Sequence, residues 1–88
     1  MSKIRIVGIG PGDISDITPA AIEALKASNV IVGYKYYFQF ITSLISPSTQ
    51  LIDTGMKQER ARAQAALDMA QQGNDVAIIS SGDAGIYG

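Results

Sequence analysis

Four short segments of the chain are rich in apolar and β-branched residues and are each followed by turn-forming residues. They cover residues 4–9, 30–32, 50–53 and 76–79. Short apolar runs that end in Gly, Ser, Asp or Pro are typical of β-strands buried in a sheet. The pattern therefore predicts four strands.

A helix is predicted between the first two strands. Thr18 followed by Pro19 matches a helix N-terminus, where threonine caps free backbone N–H groups and proline occupies the first turn. Ile22 and Leu25 are spaced to lie on one face of this helix. We expect the helix to run to about Ala27 and to bury that face against the sheet.

The longest helical segment is predicted for residues 54–72, before the last strand. Its small and apolar residues recur at intervals that place them on one face of a helix. This predicted inner face consists of Ala63, Ala66, Leu67 and Ala70. Gly73 and Asn74 are residues that commonly end a helix.

The order of these elements predicts an α/β fold. Strands that alternate with helices over short connections form parallel sheets covered by helices and joined by right-handed crossovers. In doubly wound, Rossmann-like sheets, the loops after the first and fourth strands face one crevice. We therefore expect residues 8–13 and 80–88 to lie side by side and to form a ligand site.

Residues 1–88 are expected to form one small domain. A chain of this size buries only about 60–65% of its unfolded surface, so its stability should be marginal without further contacts. We expect a second domain, which this chain lacks, and a homodimer. Because Gly88 falls inside a predicted functional loop, we also expect the chain to be truncated.

Composition narrows the classes of function. The formal net charge is -1, so no basic character of the whole chain indicates binding to nucleic acid. It contains no Cys and no His, which removes disulfides, thiolate nucleophiles and most zinc sites, and no metal site is predicted. The N-terminus has no signal-peptide layout, and no apolar stretch approaches the length of a membrane span. We expect a cytoplasmic protein with no membrane part.

The first glycine-rich loop differs from a dinucleotide-binding fingerprint. It reads Gly8-Ile9-Gly10-Pro11-Gly12-Asp13, with aspartate where the fingerprint has its third glycine. Pro11 lacks the backbone N–H that a phosphate cradle needs, and Asp13 adds a negative charge. Neither this loop nor the loop of Asp83 contains Lys or Arg, so a neutral or cationic ligand is favoured. Each aspartate serves equally well as a helix cap or turn residue.

An aromatic group follows the second strand. It consists of Tyr34, Tyr36, Tyr37, Phe38 and Phe40. Such rings most often anchor the core of a small domain, and they also stack on or hydrogen-bond to planar ligands. Both interpretations stay open from the sequence.

Two separated motifs together resemble the tetrapyrrole methylase family. The first is Val-Gly-Ile-Gly-Pro-Gly-Asp at 7–13, followed by Thr18, and the second is Ser-Gly-Asp-Ala-Gly-Ile-Tyr-Gly at 81–88. Enzymes of that family transfer a methyl group from S-adenosylmethionine, a cationic sulfonium, to a tetrapyrrole. Within the family, Gly33-Tyr34-x-x-Tyr37 and Thr54-Gly55-Met56-Lys57-x-Glu59 are most similar to the branch that methylates C17 of precorrin-3B or cobalt-factor III in cobalamin biosynthesis.

The resemblance implies a cofactor site in the two glycine-rich loops. Family members use a first-loop proline and a small-Gly-Asp turn with an apolar residue three positions on, which here are Pro11, Ser81, Gly82, Asp83 and Ile86. Gly82 would let the backbone approach S-adenosylmethionine, Asp83 would accept hydrogen bonds from its polar groups, and Ile86 would pack on its adenine or ribose. A second domain supplies the rest of this pocket in the family.

The resemblance also implies positions for catalysis and for tetrapyrrole binding. Tyr34 stands where some relatives carry a carboxylate proposed as a base, and Lys57 is the other candidate catalytic residue. The candidate substrate-binding residues are Gly12, Asp13, Tyr37 and Arg60. Tetrapyrrole precursors carry carboxylates that basic side chains bind, so Lys35 and Arg62 join the candidates. The alternative for each basic residue is an ordinary solvated helix face.

Three other functions stay open. A methylase that acts on another tetrapyrrole carbon would have the same cofactor loops. A nucleotide-binding α/β module without catalysis would explain the first loop, and a scaffold or dimerisation domain would use both loops as simple turns. The paired motifs favour a methylase because neither of the last two functions requires them.

Overall fold

A computed structural model of the chain describes residues 3–8, 18–55 and 59–80. Within these residues four strands form one sheet, and helices pack on both of its faces. The strands are β1 (Ile4–Gly8), β2 (Val30–Gly33), β3 (Gln50–Asp53) and β4 (Val76–Ser80). The helices are α1 (Pro19–Ala27), α2 (Lys35–Phe38) and α3 (Glu59–Gln71), with a short 3-10 turn at Thr42–Leu44. The predicted strands are confirmed.

All neighbouring strands run parallel, in the order β1-β4-β2-β3. This confirms the predicted α/β fold with a parallel sheet. The sheet differs from a Rossmann sheet because β4 separates β1 from β2, which are neighbours in the Rossmann order. β4 suits a central position because its side chains are apolar on both faces: Val76, Ala77 and Ile79 are 0%, 0% and 1% exposed.

Apolar side chains form a core cluster on each face of the sheet, because successive residues of a strand point to opposite faces. The cluster beside α1 contains Val7, Ala21, Leu25, Ile31, Phe38, Ile41, Ala77 and Ile79. The cluster beside α3 contains Val30, Val32, Ala66 and Val76. β2 and β4 are therefore buried from both sides, which explains their nearly continuous apolar sequences.

α1 begins and ends as predicted. The Thr18 Oγ1 accepts a hydrogen bond from the backbone N–H of Ala21 at 3.1 Å, and Pro19 is the first helical residue. Leu25 is fully buried against the sheet, and Ile22 is half-buried beside the same cluster. The predicted buried face is confirmed, with Ala21 as an additional buried member.

The helix predicted for residues 54–72 is shorter in the structure. α3 begins at Glu59, and Thr54 and Gly55 precede it in non-helical backbone. The φ angle of Gly55 is 84°, and a residue in this left-handed region cannot continue a right-handed helix. The predicted start of this helix was therefore wrong. Among the described helices, none has the length and apolar character that crossing a membrane requires.

The inner face of α3 also differs from the prediction. Its buried and half-buried residues include Ala65, Ala66, Met69 and Ala70. Ala63 is exposed, and Leu67 is 48% exposed. Arg62 bonds to the turn after β3, and a rotation of about 100° per residue places Leu67 on the opposite flank of the helix. The prediction was right for Ala66 and Ala70 and wrong for Ala63 and Leu67.

The edge strand β1 leaves apolar side chains uncovered on the α3 side of the sheet. Ile6 pairs with Ile78, which packs beside α3, so the two side chains share that face. Ile6 is nevertheless 77% exposed and Ile4 is 39% exposed. Leu67 on α3 is also exposed, so the described residues leave several apolar side chains partly uncovered.

Candidate functional site

The carboxyl ends of the strands lie along one edge of the sheet, because all strands are parallel. β1 ends at Gly8 beside Ser80 of β4, and β2 ends at Gly33 beside Asp53 of β3. Neighbouring strands are about 4.8 Å apart, so the four ends span about 15 Å. The loops after β1 and β4 therefore start side by side, as predicted.

Most of the predicted ligand-binding residues lie outside the described residues. They are Pro11, Gly12 and Asp13 after β1, Lys57 before α3, and Ser81, Gly82, Asp83 and Ile86 after β4. Their roles stay predictions. The described residues do show that Gly8, at the start of the first loop, is exposed. Its backbone carries no side chain that would keep a ligand away.

Gly33 allows the end of β2 to pack closely against Ile79 of β4. A Cβ built on this buried glycine would lie 3.1 Å from the Cβ of Ile79, closer than nearly all real contacts of this kind. Only glycine fits this position without displacing a neighbour. The aromatic residues that follow Gly33 therefore begin close to the end of β4.

Gly33→Ala is expected to lower the free energy of unfolding by about 1–3 kcal/mol, because the added methyl group overpacks the core at Ile79. Urea denaturation followed by far-UV circular dichroism measures the difference from the unaltered chain. Gly73→Ala separates overpacking from backbone strain. A Cβ there meets open space, so any loss of stability comes from the φ of 95° alone. Unchanged stability of Gly33→Ala would contradict the close packing.

Four aromatic rings, those of Tyr34, Tyr36, Tyr37 and Phe40, form an aromatic cluster after β2. The Tyr34 ring centroid lies 6.1 Å from that of Tyr36 and 5.6 Å from that of Tyr37. The Tyr36 and Phe40 centroids are 6.1 Å apart. Tyr36 is 58% exposed, whereas Phe38 is 9% exposed and belongs to the core beside α1. Phe38 is thus a packing anchor, whereas Tyr36 offers its ring to solvent and Tyr37 packs against the edge of that core.

Asp53 connects the end of β3 to the start of α2. Its Oδ1 accepts hydrogen bonds from the backbone N–H groups of Lys35 and Gly55, each at 3.0 Å. The N-cap residue of α2, Tyr34, makes no capping bond with its own side chain, so Asp53 supplies one from the neighbouring strand. Asp53 is absent from the predicted site residues, although an aspartate that precedes Thr-Gly is a known signal for a side-chain-stabilised turn.

Hydrogen bonds from the backbone of Gly55 and then Lys35 lower the pKa of the Asp53 carboxyl below its usual value of 3.8. The nearby charges of Lys35 and Arg62 act in the same direction. A carboxylate with a lowered pKa stabilises the fold above its unfolded-state pKa, and this contribution disappears as the pH falls through its folded-state pKa.

Asp53→Asn should therefore be less stable than the unaltered chain near neutral pH, and the difference should shrink as the pH falls below 3.8. Urea denaturation of both chains over a series of acidic and neutral pH values measures this. A difference that stays constant across the series would show that the Asp53 charge does not contribute.

Arg62 holds the turn between β3 and α3. Its Nε donates to the Thr54 Oγ1 at 3.1 Å, and its Nη2 donates to the backbone oxygen of Gly55 at 2.7 Å. The side chain is half-buried. It is therefore neither a solvated surface residue nor a free clamp for carboxylates, the two roles considered from the sequence.

Three of the predicted site residues lie at the carboxyl edge of the sheet. Tyr34 and Tyr37 are in contact through their rings after β2. Arg60 is exposed in the first turn of α3. That turn lies at the same edge because α3 runs from the carboxyl end of β3 to the amino end of β4.

Comparison with known proteins identifies relatives whose sequences match nearly the whole chain. A family model of tetrapyrrole (corrin/porphyrin) methylases matches residues 3–88. A cobalt-factor III methyltransferase of Priestia megaterium is 48% identical over 86 residues, which are 98% of this chain and 16% of that protein. A protein of Salmonella typhimurium named "probable cobalt-factor III C(17)-methyltransferase" is 49% identical over 85 residues, 97% of this chain and 35% of that protein. The chain thus spans about a third or less of these relatives.

Solved structures share the fold. The methyltransferase CobJ superposes with a TM-score of 0.85 and 34% identity, over 99% of this chain and 36% of that one. A cobalt precorrin-4 methyltransferase, CbiF, superposes with a TM-score of 0.78. Its identity is 24%, so it supports the fold alone.

Proposed function

The chain belongs to the tetrapyrrole (corrin/porphyrin) methylase family. We propose that it is the N-terminal part of a methyltransferase of cobalamin biosynthesis. The proposed enzyme acts on C17 of a precorrin or cobalt-precorrin. The observation that carries this proposal is the identity of 48% and 49%, over nearly the whole chain, to relatives named for cobalt-factor III methylation. The similarity to the CobJ structure supports the same branch.

We further propose that the loops after β1 and β4 bind S-adenosylmethionine. When bound, this cofactor supplies an electrophilic methyl group that a ring carbon attacks in line with the departing sulfur. The residues proposed to hold it are Pro11, Ser81, Gly82, Asp83 and Ile86. The paired ends of β1 and β4 and the exposed Gly8 support this placement. The absence of Lys and Arg from both loops suits a cation.

The tetrapyrrole is proposed to bind beside these loops, at the ends of β2 and β3. Tyr37 and the other rings of the aromatic cluster would pack on the macrocycle, and Arg60 would bind a peripheral carboxylate. Gly12 and Asp13 complete the proposed substrate-binding residues, and Tyr34 and Lys57 keep their proposed catalytic roles. In methyl transfer these groups chiefly orient the ring carbon and exclude water.

Residues 1–88 are proposed to be the N-terminal α/β domain of a longer enzyme. The greater length of the relatives supports this proposal. So does the exposure of Ile6 and Leu67, because apolar surface of this kind is commonly covered by another part of the protein. The homodimer and the cytoplasmic location stay predictions.

The test uses a protein that carries this chain together with the remaining length of its relatives. We expect it to transfer the labelled methyl group of S-adenosylmethionine to cobalt-factor III or precorrin-3B, as measured by mass spectrometry of the product. Methylation of a different carbon would favour the related methylase. Binding of NAD or FMN without S-adenosylmethionine binding would favour the nucleotide-binding module and contradict the proposal.

The isolated chain is expected to bind S-adenosylmethionine weakly, because affinity depends on how completely a ligand is enclosed. Calorimetric titration of the chain and of the longer protein compares the two affinities. Tight binding by the isolated chain would show that the site needs no second domain.

A further inference from the structure

Hydrogen bonds tie the turn at Thr54 and Gly55 to the elements on both sides of it. The Thr54 N–H donates to the backbone oxygen of Gly33 at 3.0 Å, which joins the turn to the end of β2. Arg62 reaches back from α3 and donates to Thr54 and to Gly55, at 3.1 and 2.7 Å. The turn is therefore held between β2 and α3.

Asp53 extends these connections to the aromatic cluster. The same Oδ1 accepts from Gly55 in the turn and from Lys35 at the start of α2. α2 has four residues, and a helix of a single turn is not stable without contacts outside itself. Phe38 anchors the end of α2 in the core beside α1, and Asp53 fixes its start. The orientation of the Tyr36 and Tyr37 rings therefore depends on the bond to Asp53 as well as on the core.

We propose that Asp53 and Arg62 are positioning residues that hold the aromatic cluster in the orientation needed to bind a tetrapyrrole. Arg62 fixes the turn, the turn fixes the Asp53 carboxylate, and Asp53 fixes the start of α2. The identity of the ligand rests on the proposed function. The hydrogen bonds that form the connection do not depend on it.

The aromatic cluster has the chemistry that a macrocycle requires. A tetrapyrrole is a broad, largely apolar ring system with carboxylates at its rim, so it binds to aromatic faces bordered by basic groups. Tyr36 is 58% exposed and so has a ring surface free for such contact. Lys35, whose backbone bonds to Asp53, is also exposed. Because ring contacts depend on orientation, displacement of α2 should weaken them.

The first test measures the aromatic cluster without any ligand. The chain contains four Tyr and no Trp, and three of the tyrosines belong to the cluster, so near-UV circular dichroism reports their packing. Asp53→Ala and Arg62→Met should lose part of the near-UV tyrosine signal while they keep the far-UV signal. Lys26→Met is the control, since Lys26 is exposed in the last turn of α1 at the other edge of the sheet. A full near-UV signal in both test variants would overturn the proposal.

The second test uses the longer enzyme described above. Asp53→Ala and Arg62→Met should raise KM for the tetrapyrrole about 10-fold, the usual scale for loss of one good hydrogen bond, and leave the affinity for S-adenosylmethionine unchanged. Arg62→Lys should recover part of the loss, because an ammonium group can donate to Gly55 but cannot reproduce the two-pronged geometry. A fall in kcat with unchanged KM, or an equal loss of S-adenosylmethionine affinity, would overturn the proposal.

Milder variants keep the tests decisive if Asp53→Ala does not fold. Asp53→Asn keeps one acceptor oxygen, so it should show a smaller loss of near-UV signal and a smaller rise in KM. An unchanged Asp53→Asn together with an unchanged Arg62→Lys would count against positioning. If the unaltered enzyme methylates no tetrapyrrole, the proposed function fails, and the near-UV measurement still decides whether Asp53 and Arg62 position the aromatic cluster.

Discussion

Ile31→Ala is expected to lower the free energy of unfolding by about 2–5 kcal/mol, the largest effect on stability predicted for this chain. Ile31 is 0% exposed and lies in β2, which pairs with β4 on one side and β3 on the other. Its side chain belongs to the core cluster that also contains Leu25 and Ala77. Removal of its outer atoms leaves a cavity that these neighbours, held in a helix and a strand, cannot close.

A loss of this size is a large part of the total stability, because natural domains are only about 5–15 kcal/mol stable. Urea and thermal denaturation, followed by far-UV circular dichroism, measure the change. Ile6→Ala is the matched control, with the same substitution at a residue that is 77% exposed, and its effect should stay within about 0.5 kcal/mol. Equal effects of the two substitutions would contradict the described core.

Asp83→Ala is expected to weaken the affinity for S-adenosylmethionine about 10- to 100-fold in the longer enzyme. The proposed carboxylate accepts hydrogen bonds from the polar groups of the ligand, and bonds to a charged partner are worth about 1.5–3 kcal/mol. Its charge also has the sign that attracts a sulfonium. Isothermal titration calorimetry measures the affinity, and circular dichroism checks that the fold is kept.

Asp68→Ala is the control for Asp83→Ala. Asp68 is an exposed aspartate on α3 whose carboxylate bonds to Gln64, outside the proposed cofactor site. Its removal changes the net charge equally and should leave the affinity unchanged. Unchanged affinity in Asp83→Ala would rule out the proposed role of Asp83 and would direct attention to other residues of the two loops.

Local sequence signals predicted the elements well where the signal and the structure depend on the same few residues. Thr18 and Pro19 start α1 because capping involves only residues of that turn. Thr54 and Gly55 were wrongly assigned to a helix, since their composition permits one. Gly55 instead adopts a φ of 84°, and Arg62, seven residues later, bonds to it.

The sequence also predicted the part of the candidate site that depends on local motifs, and it missed the part that depends on distant residues. The paired ends of β1 and β4 follow from motif positions, and the register of Gly8 with Ser80 agrees with them. The packing role of Gly33 and the capping role of Asp53 were not predicted, because they depend on Ile79 and Lys35, which are distant in sequence. A glycine that fits under one side chain of another strand has no local signature.

The sequence by itself determined the strands, the first helix, the family and the edge of the sheet proposed for ligand binding. These features follow from apolar periodicity, turn residues and short motifs, each of which acts over a few neighbouring residues. Only the tertiary structure decided that β4 lies between β1 and β2 and that Asp53 caps α2. It also decided that Leu67 is exposed while Arg62 is bonded to the turn after β3. The physical reason is that each depends on contacts between residues far apart in the chain, such as Asp53 and Lys35, which are separated by 18 positions.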